Sequence, residues 1–166
     1  MGARRKGREA ALKALYSLEF LKDPEADRSQ ALDHVWGSML ELPDETRGFA
    51  EALVEGVLAV WDEVNALMGE TSRRWKVERM ALIDRNILRL ATYEIRYRTD
   101  IPVKVSINEA IEIAKKFGSQ ESPAFVNGIL DRIAEVSGRL RGADDDVALE
   151  EPDTDVDDPD ESEAGG

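Results

Sequence analysis

The sequence predicts an all-α fold, a compact bundle of six to seven helices. Three observations carry this. Apolar residues recur at three- and four-residue intervals from the N-terminus to about Gly138. The longest strand-like alternation, Val103–Val105, is too short to build a sheet. Proline, glycine and aspartate break the chain into helix-length pieces joined by short connections. Each such piece must bury its apolar stripe against a neighbour, which a bundle allows.

The first helix runs from Gly2 to about Leu21, with Ala11, Leu15 and Leu18 on one face, and Asp23-Pro24 breaks it. A second covers about Ser29 to Leu40, turning Leu32, Val35, Trp36 and Met39 inward. After Pro43-Asp44 a single long helix is expected from Glu45 to about Met68, striped by Phe49, Leu53, Val57, Val60, Val64 and Leu67. Gly56 lowers helix propensity in its middle and marks a close helix contact. Arg73 to Val77 reads as a short helix bearing Trp75. A strong helix follows from Leu82 to Arg98, with Ile83, Ile87, Leu90, Ala91 and Ile95 inward. The last two are the most fully punctuated. Ser106 with Glu109 has the spacing of a capping box. Gly118 stands where a left-handed C-cap belongs. Ser122-Pro123 then reads as an N-cap followed by proline at the first helical position.

Charge divides the chain. The net charge is −13, but residues 142–166 hold twelve of the 35 acidic residues and no Lys or Arg. The remainder has 23 acidic and 22 basic residues and is close to neutral. The expected organisation is therefore one helical domain over 1–141 and a disordered acidic tail over 142–166, too polar to offset its ordering entropy. No apolar run is long enough for a transmembrane helix and no signal-peptide core follows the basic start, so a cytoplasmic protein is expected. The lack of cysteine fits a reducing compartment and excludes disulfides, thiolate metal sites and a cysteine nucleophile. A lone histidine, His34, excludes a histidine-rich metal site.

The basic head is the first functional candidate. Arg4, Arg5, Lys6 and Arg8 repel one another and oppose the positive end of the helix dipole. A polyanionic partner such as RNA explains that placement, and a solvated terminus is the competing reading. Tyr16 reads as a base-stacking ring or as the edge of the core. Ser119 to Ser122 is a polar, tightly framed loop, in which Glu121 is favoured by the following helix dipole. Asn127-Gly128 is locally unfavourable in a helix, which points to a tertiary hydrogen bond for the amide and a close helix crossing at the glycine. Glu78, Asp84 and Glu94 are carboxylates with a recognition role or a salt bridge to Arg85, Arg89 or Arg98. No acid–base pair and no glycine-rich phosphate loop is evident, so no enzyme is expected.

Three segments resemble the NusB family of bacterial transcription antitermination factors. They are RRKGREAALKALYSLEF, IDRNILRLATYEIRY, and IPVKVSINEAIEIAKKFG with FVNGILD, spread over residues 3 to 137. The resemblance implies a fold of two helical subdomains, no catalysis and no cofactor. It implies binding of boxA RNA jointly with the small-subunit ribosomal protein that doubles as NusE. It further implies assembly with other Nus factors on RNA polymerase, chiefly at ribosomal RNA operons. By position, Arg4, Arg5, Lys6, Arg8, Tyr16 and Phe125 match RNA-binding residues, and Glu78, Asp84 and Glu121 match partner-facing ones. Gly7 interrupts the cations and is expected to loosen the RNA contact. Two other function classes are an RNA-recognition module serving an RNA methyltransferase and a helical adaptor that binds only protein.

Overall fold

A computed structural model describes residues 2–139, so the expected acidic tail lies outside the described residues. Seven α-helices follow one another: α1 Ala3–Leu18, α2 Pro24–Gly37, α3 Asp44–Ala59, α4 Trp61–Thr71, α5 Leu82–Tyr97, α6 Val103–Phe117 and α7 Ser122–Val136. A 3-10 turn at Val77–Arg79 precedes α5. No strand occurs among the described residues. Helix α1 packs mainly on α3 and α5, and α6 pairs with α7. Helix α5 touches both groups, and its buried Ile87, Leu88, Leu90, Ala91 and Ile95 join them into one core with Leu12, Leu15, Leu53, Ile107, Leu130 and Ile133. Helix α2 contributes no fully buried residue and lies at the edge.

Several local expectations are corrected. The long third helix is two helices, because Val60 leaves helical geometry at φ −121° and ψ 36°. The second helix starts earlier, since the Asp23 carboxylate caps it by accepting from the Ala26 backbone and Pro24 occupies its first position. Trp75 stands in the loop before the 3-10 turn, not on a helix. Helix α6 begins at Val103 behind Pro102, which places Ser106 and Glu109 inside it. Their side chains serve tertiary contacts, so there is no capping box. Gly118 is extended, at φ −96° and ψ −168°, and is required for a different reason. A Cβ there would strike the Ser122 side chain and stand 2.9 Å from the Ala114 carbonyl oxygen. Ser122 is the first residue of α7 rather than its cap, which is Glu121.

Gly56 does mark a close contact, because a Cβ there would overlap the Tyr93 ring. Gly128 does not: the space around it is open. Nor does the Asn127 amide make the expected tertiary bond; its Oδ1 is buried without a hydrogen-bond partner among the described residues.

Candidate nucleic-acid interface

The basic head is helical from Ala3, and helix geometry sends its cations to different places. Arg4 is half-buried, its guanidinium 4.8 Å from the centre of the Phe49 ring, which Arg98 also approaches at 5.8 Å. Arg5 donates two hydrogen bonds to Glu109 of α6, at 2.8 and 2.9 Å. Lys6 is exposed and has no partner among the described residues. Arg8 lies inside. It donates to both Glu94 oxygens at 2.8 and 3.0 Å, and the Ser106 hydroxyl adds a third bond to Glu94 at 2.6 Å. The side chains of Arg8 and Glu94 are only 6% and 2% exposed. Arg8, expected among the RNA contacts, is thus a buried ion-pair partner that clamps α1 to α5 and α6. Glu94 is accounted for by the same clamp. Gly7 is not a gap in a cationic row: a Cβ there would come within 2.8 Å of the Phe49 ring and 3.2 Å of the Thr46 carbonyl oxygen. It lets α1 lie against α3.

The outer face of α1 carries what remains. Lys6, Lys13, Tyr16 and Phe20 are all exposed, and seven- and three-residue spacings bring them to one side of the helix and its C-terminal turn. Tyr16 and Phe20 meet edge to face at 5.3 Å. The inner side of the same turn holds Glu19. It accepts from Arg85 at 2.6 and 2.9 Å, from Arg89 at 2.8 Å and from Asn86 at 2.9 Å. Burial alone would raise the Glu19 carboxyl, but these donors and the Arg89 charge outweigh it and hold the pKa at about 2. Lys116 of α6 is already paired with Glu9.

A second group forms where α5 and α7 begin. The buried Asp84 carboxylate accepts from the Ser122 hydroxyl at 2.6 Å, and Ser122 Oγ accepts from the Ser119 backbone at 2.9 Å. Asp84 is therefore a positioning group for the 119–122 loop rather than an open carboxylate. Glu121 is exposed, with one contact to the Ser119 hydroxyl at 3.3 Å. Phe125 is half-buried and meets the exposed Trp75 edge to face at 6.3 Å. The Glu78 side chain is exposed, while its carbonyl oxygen accepts from Arg85 at 3.1 Å.

Sequence reasoning gave Phe49 and Glu109 other roles, as a core residue and a cap, and missed Glu19, Phe20 and the cations around Trp75. A usable signal existed for the buried pair. Arg8 falls three and seven residues before Ala11 and Leu15, and Glu94 falls three and seven after Ala91 and Ile87. Opposite charges set into two apolar stripes imply that they meet. Chemically, the surface offers cations, exposed rings and carboxylates for non-covalent recognition. No cluster of metal-ligating residues occurs among the described residues.

Comparison with known proteins gives a consistent picture. The NusB family pattern matches residues 5–135. The chain is 51% identical over 138 residues to the transcription antitermination protein NusB of Myxococcus xanthus, covering 81% of this chain and 96% of that one. It is 47% identical over 133 residues to the protein of the same name from Trichlorobacter lovleyi, covering 80% and 91%. Among solved structures, T. maritima NusB superposes with a TM-score of 0.72 at 36% identity, over 86% of this chain and 96% of that one. A chain of a complex of the antitermination factors NusB and NusE with double-stranded RNA gives a TM-score of 0.71 at 19% identity, over 81% and 97%, which bears on the fold alone.

Proposed function

The chain belongs to the NusB family, and from that premise we propose that it is a transcription antitermination factor that binds boxA RNA together with NusE. The pair then joins other Nus factors on RNA polymerase, chiefly at ribosomal RNA operons, in the cytoplasm. No membrane partner and no catalytic step belong to this role. The observation that carries the reading is the outer face of α1, with Lys6 and Lys13 followed by the exposed rings of Tyr16 and Phe20. Folding needs none of these four groups in the open. A single RNA strand uses both kinds, phosphates against the cations and unpaired bases against the rings.

The roles sort by exposure. Arg4 and Lys6 neutralise phosphate, Arg5 does so while tethered to Glu109, and Arg8 holds the helix that presents them. Tyr16 stacks on a base, and Phe125 borders the RNA where the 119–122 loop turns. Glu78 and Glu121 are exposed carboxylates fit to face NusE, and Asp84 sets the loop that carries Glu121. Replacing Arg4 and Lys6 with Ala tests the assignment by filter binding with boxA RNA and NusE across a salt series. Joint affinity should fall, and the slope of log affinity against log salt should flatten by about 1.4, at about 0.7 per phosphate contact on a single strand. Unchanged affinity and slope would remove the arm from the interface.

A further inference from the structure

Between α4 and α5 lies an open cleft of about 850 Å³, walled by Trp61 and Trp75 and lined by Arg73, Arg74 and Lys76. Trp75 rests one edge on Phe125, but nothing in the folded domain accounts for the run of cations around it. Arg73, Arg74, Trp75 and Lys76 are consecutive and exposed, and among the described residues the three cationic side chains make no ion pair or hydrogen bond. Adjacent like charges repel, and an indole that is 49% exposed keeps apolar area in water. The cleft floor is built differently. Arg85 and Arg89 lie there sharing the single carboxylate of Glu19, and the Arg89 guanidinium stands 4.3 Å from the Trp61 ring centre. That contact steadies an indole which is still 36% exposed. Glu78 is the one carboxylate among the lining residues.

We infer that this cleft is a second binding site for single-stranded RNA, in which bases stack on Trp75 and Trp61 while Arg73, Arg74 and Lys76 pair with phosphates. Rings interleaved with cations are what a single strand demands, since its bases present open π-faces beside a charged backbone. An acidic peptide would use the cations and leave two indoles without purpose. The volume lies in the range that takes a nucleotide-sized ligand. The inference rests on the RNA-binding reading above and extends it. Glu19, which holds the cleft floor, is at the far end of α1 from Arg4, about 22 Å away at 1.5 Å per residue. At about 3.4 Å per stacked nucleotide, about seven nucleotides span that distance, so an RNA that continues past the arm by such a length runs along α1 into the cleft.

The test uses the full chain with NusE and two single-stranded RNAs carrying boxA, of about 12 and about 30 nucleotides, followed by filter binding and tryptophan emission over a salt series. The unaltered chain should bind the longer RNA more tightly, with quenching of its tryptophan emission. The variant R73A/R74A/K76A should lose about tenfold in affinity for the longer RNA at 0.1 M salt, flatten its salt slope by about 2 and show less quenching. Wild-type affinity, slope and quenching in that variant, beside weakened binding by R4A/K6A, would overturn the second site and leave the arm reading intact. Binding of neither RNA by the unaltered chain with NusE would overturn both. Loss of NusE binding by the loop variant in the absence of RNA would overturn the inference in favour of an acidic protein surface.

Discussion

Replacing Arg8 with Met separates a structural arginine from an RNA-binding one. In the native domain the Glu94 carboxylate, 2% exposed, receives two hydrogen bonds from Arg8 and one from Ser106. Arg8→Met keeps the length of the side chain and removes two of those three donors together with the balancing charge. Breaking a buried ion pair from one side costs about 3–5 kcal/mol, because the remaining charge stays out of water. For a domain of this size, at about 3–5 °C per kcal/mol, the melting temperature should fall by about 10–20 °C. Arg5→Ala is the control. Its pair with Glu109 is 27% and 19% exposed, and its loss should cost about 1 kcal/mol or less. A second check is R8M/E94Q, which removes both charges while glutamine keeps a partner for Ser106; most of the lost stability should return. Thermal denaturation followed by circular dichroism reads all four proteins. A drop below about 3 °C in Arg8→Met would refute the buried clamp, since that is an ordinary surface effect. So would a double variant that melts no higher than Arg8→Met.

Two further outcomes follow from the same geometry. Ser122→Ala strands the buried Asp84 carboxylate and the Ser119 N–H. It should cost about 1–3 kcal/mol in urea unfolding, and a loss below about 0.5 would make that network dispensable. Glu19 governs an acid transition. Its folded pKa is depressed to about 2, so its contribution is fully present above the ordinary value of 4.5 and is lost as pH falls through about 2. Stability measured from pH 6 downward should decline through that window. Glu19→Gln should melt lower at neutral pH, having left Arg85 and Arg89 without their anion, and show a shallower acid decline; an unchanged decline would assign the acid sensitivity elsewhere.

Helix count and most breaks were legible because they depend on local signals. Asp23-Pro24, Pro43 and Pro102 each stand where a helix starts, and the apolar stripes of α5 and α7 name the core. What failed was the reading of polar residues whose partners are distant in sequence. Ser106 and Glu109 have capping-box spacing, yet Ser106 bonds Glu94 twelve residues back and Glu109 bonds Arg5 from another helix. Helix α6 had no need of that cap, since Pro102 starts it a turn earlier. Gly118 reads as a left-handed C-cap and is in fact extended; the closeness of Ser122 that calls for glycine there leaves no trace in local propensity. The break at Val60 carries no proline or glycine, so periodicity ran through it. The basic head was visible as charge. Its division into an inward Arg8, a tethered Arg5 and an open Lys6 required the helices it packs against.

The central claim is that this chain recognises boxA RNA as half of a joint surface. The direct test is titration of labelled boxA RNA with this protein, with NusE and with both, at one fixed salt concentration. The account predicts that the pair binds at least about tenfold more tightly than either protein alone, equivalent to about 1.4 kcal/mol of coupling. Equal affinity with and without NusE, or no binding by the pair, would contradict it.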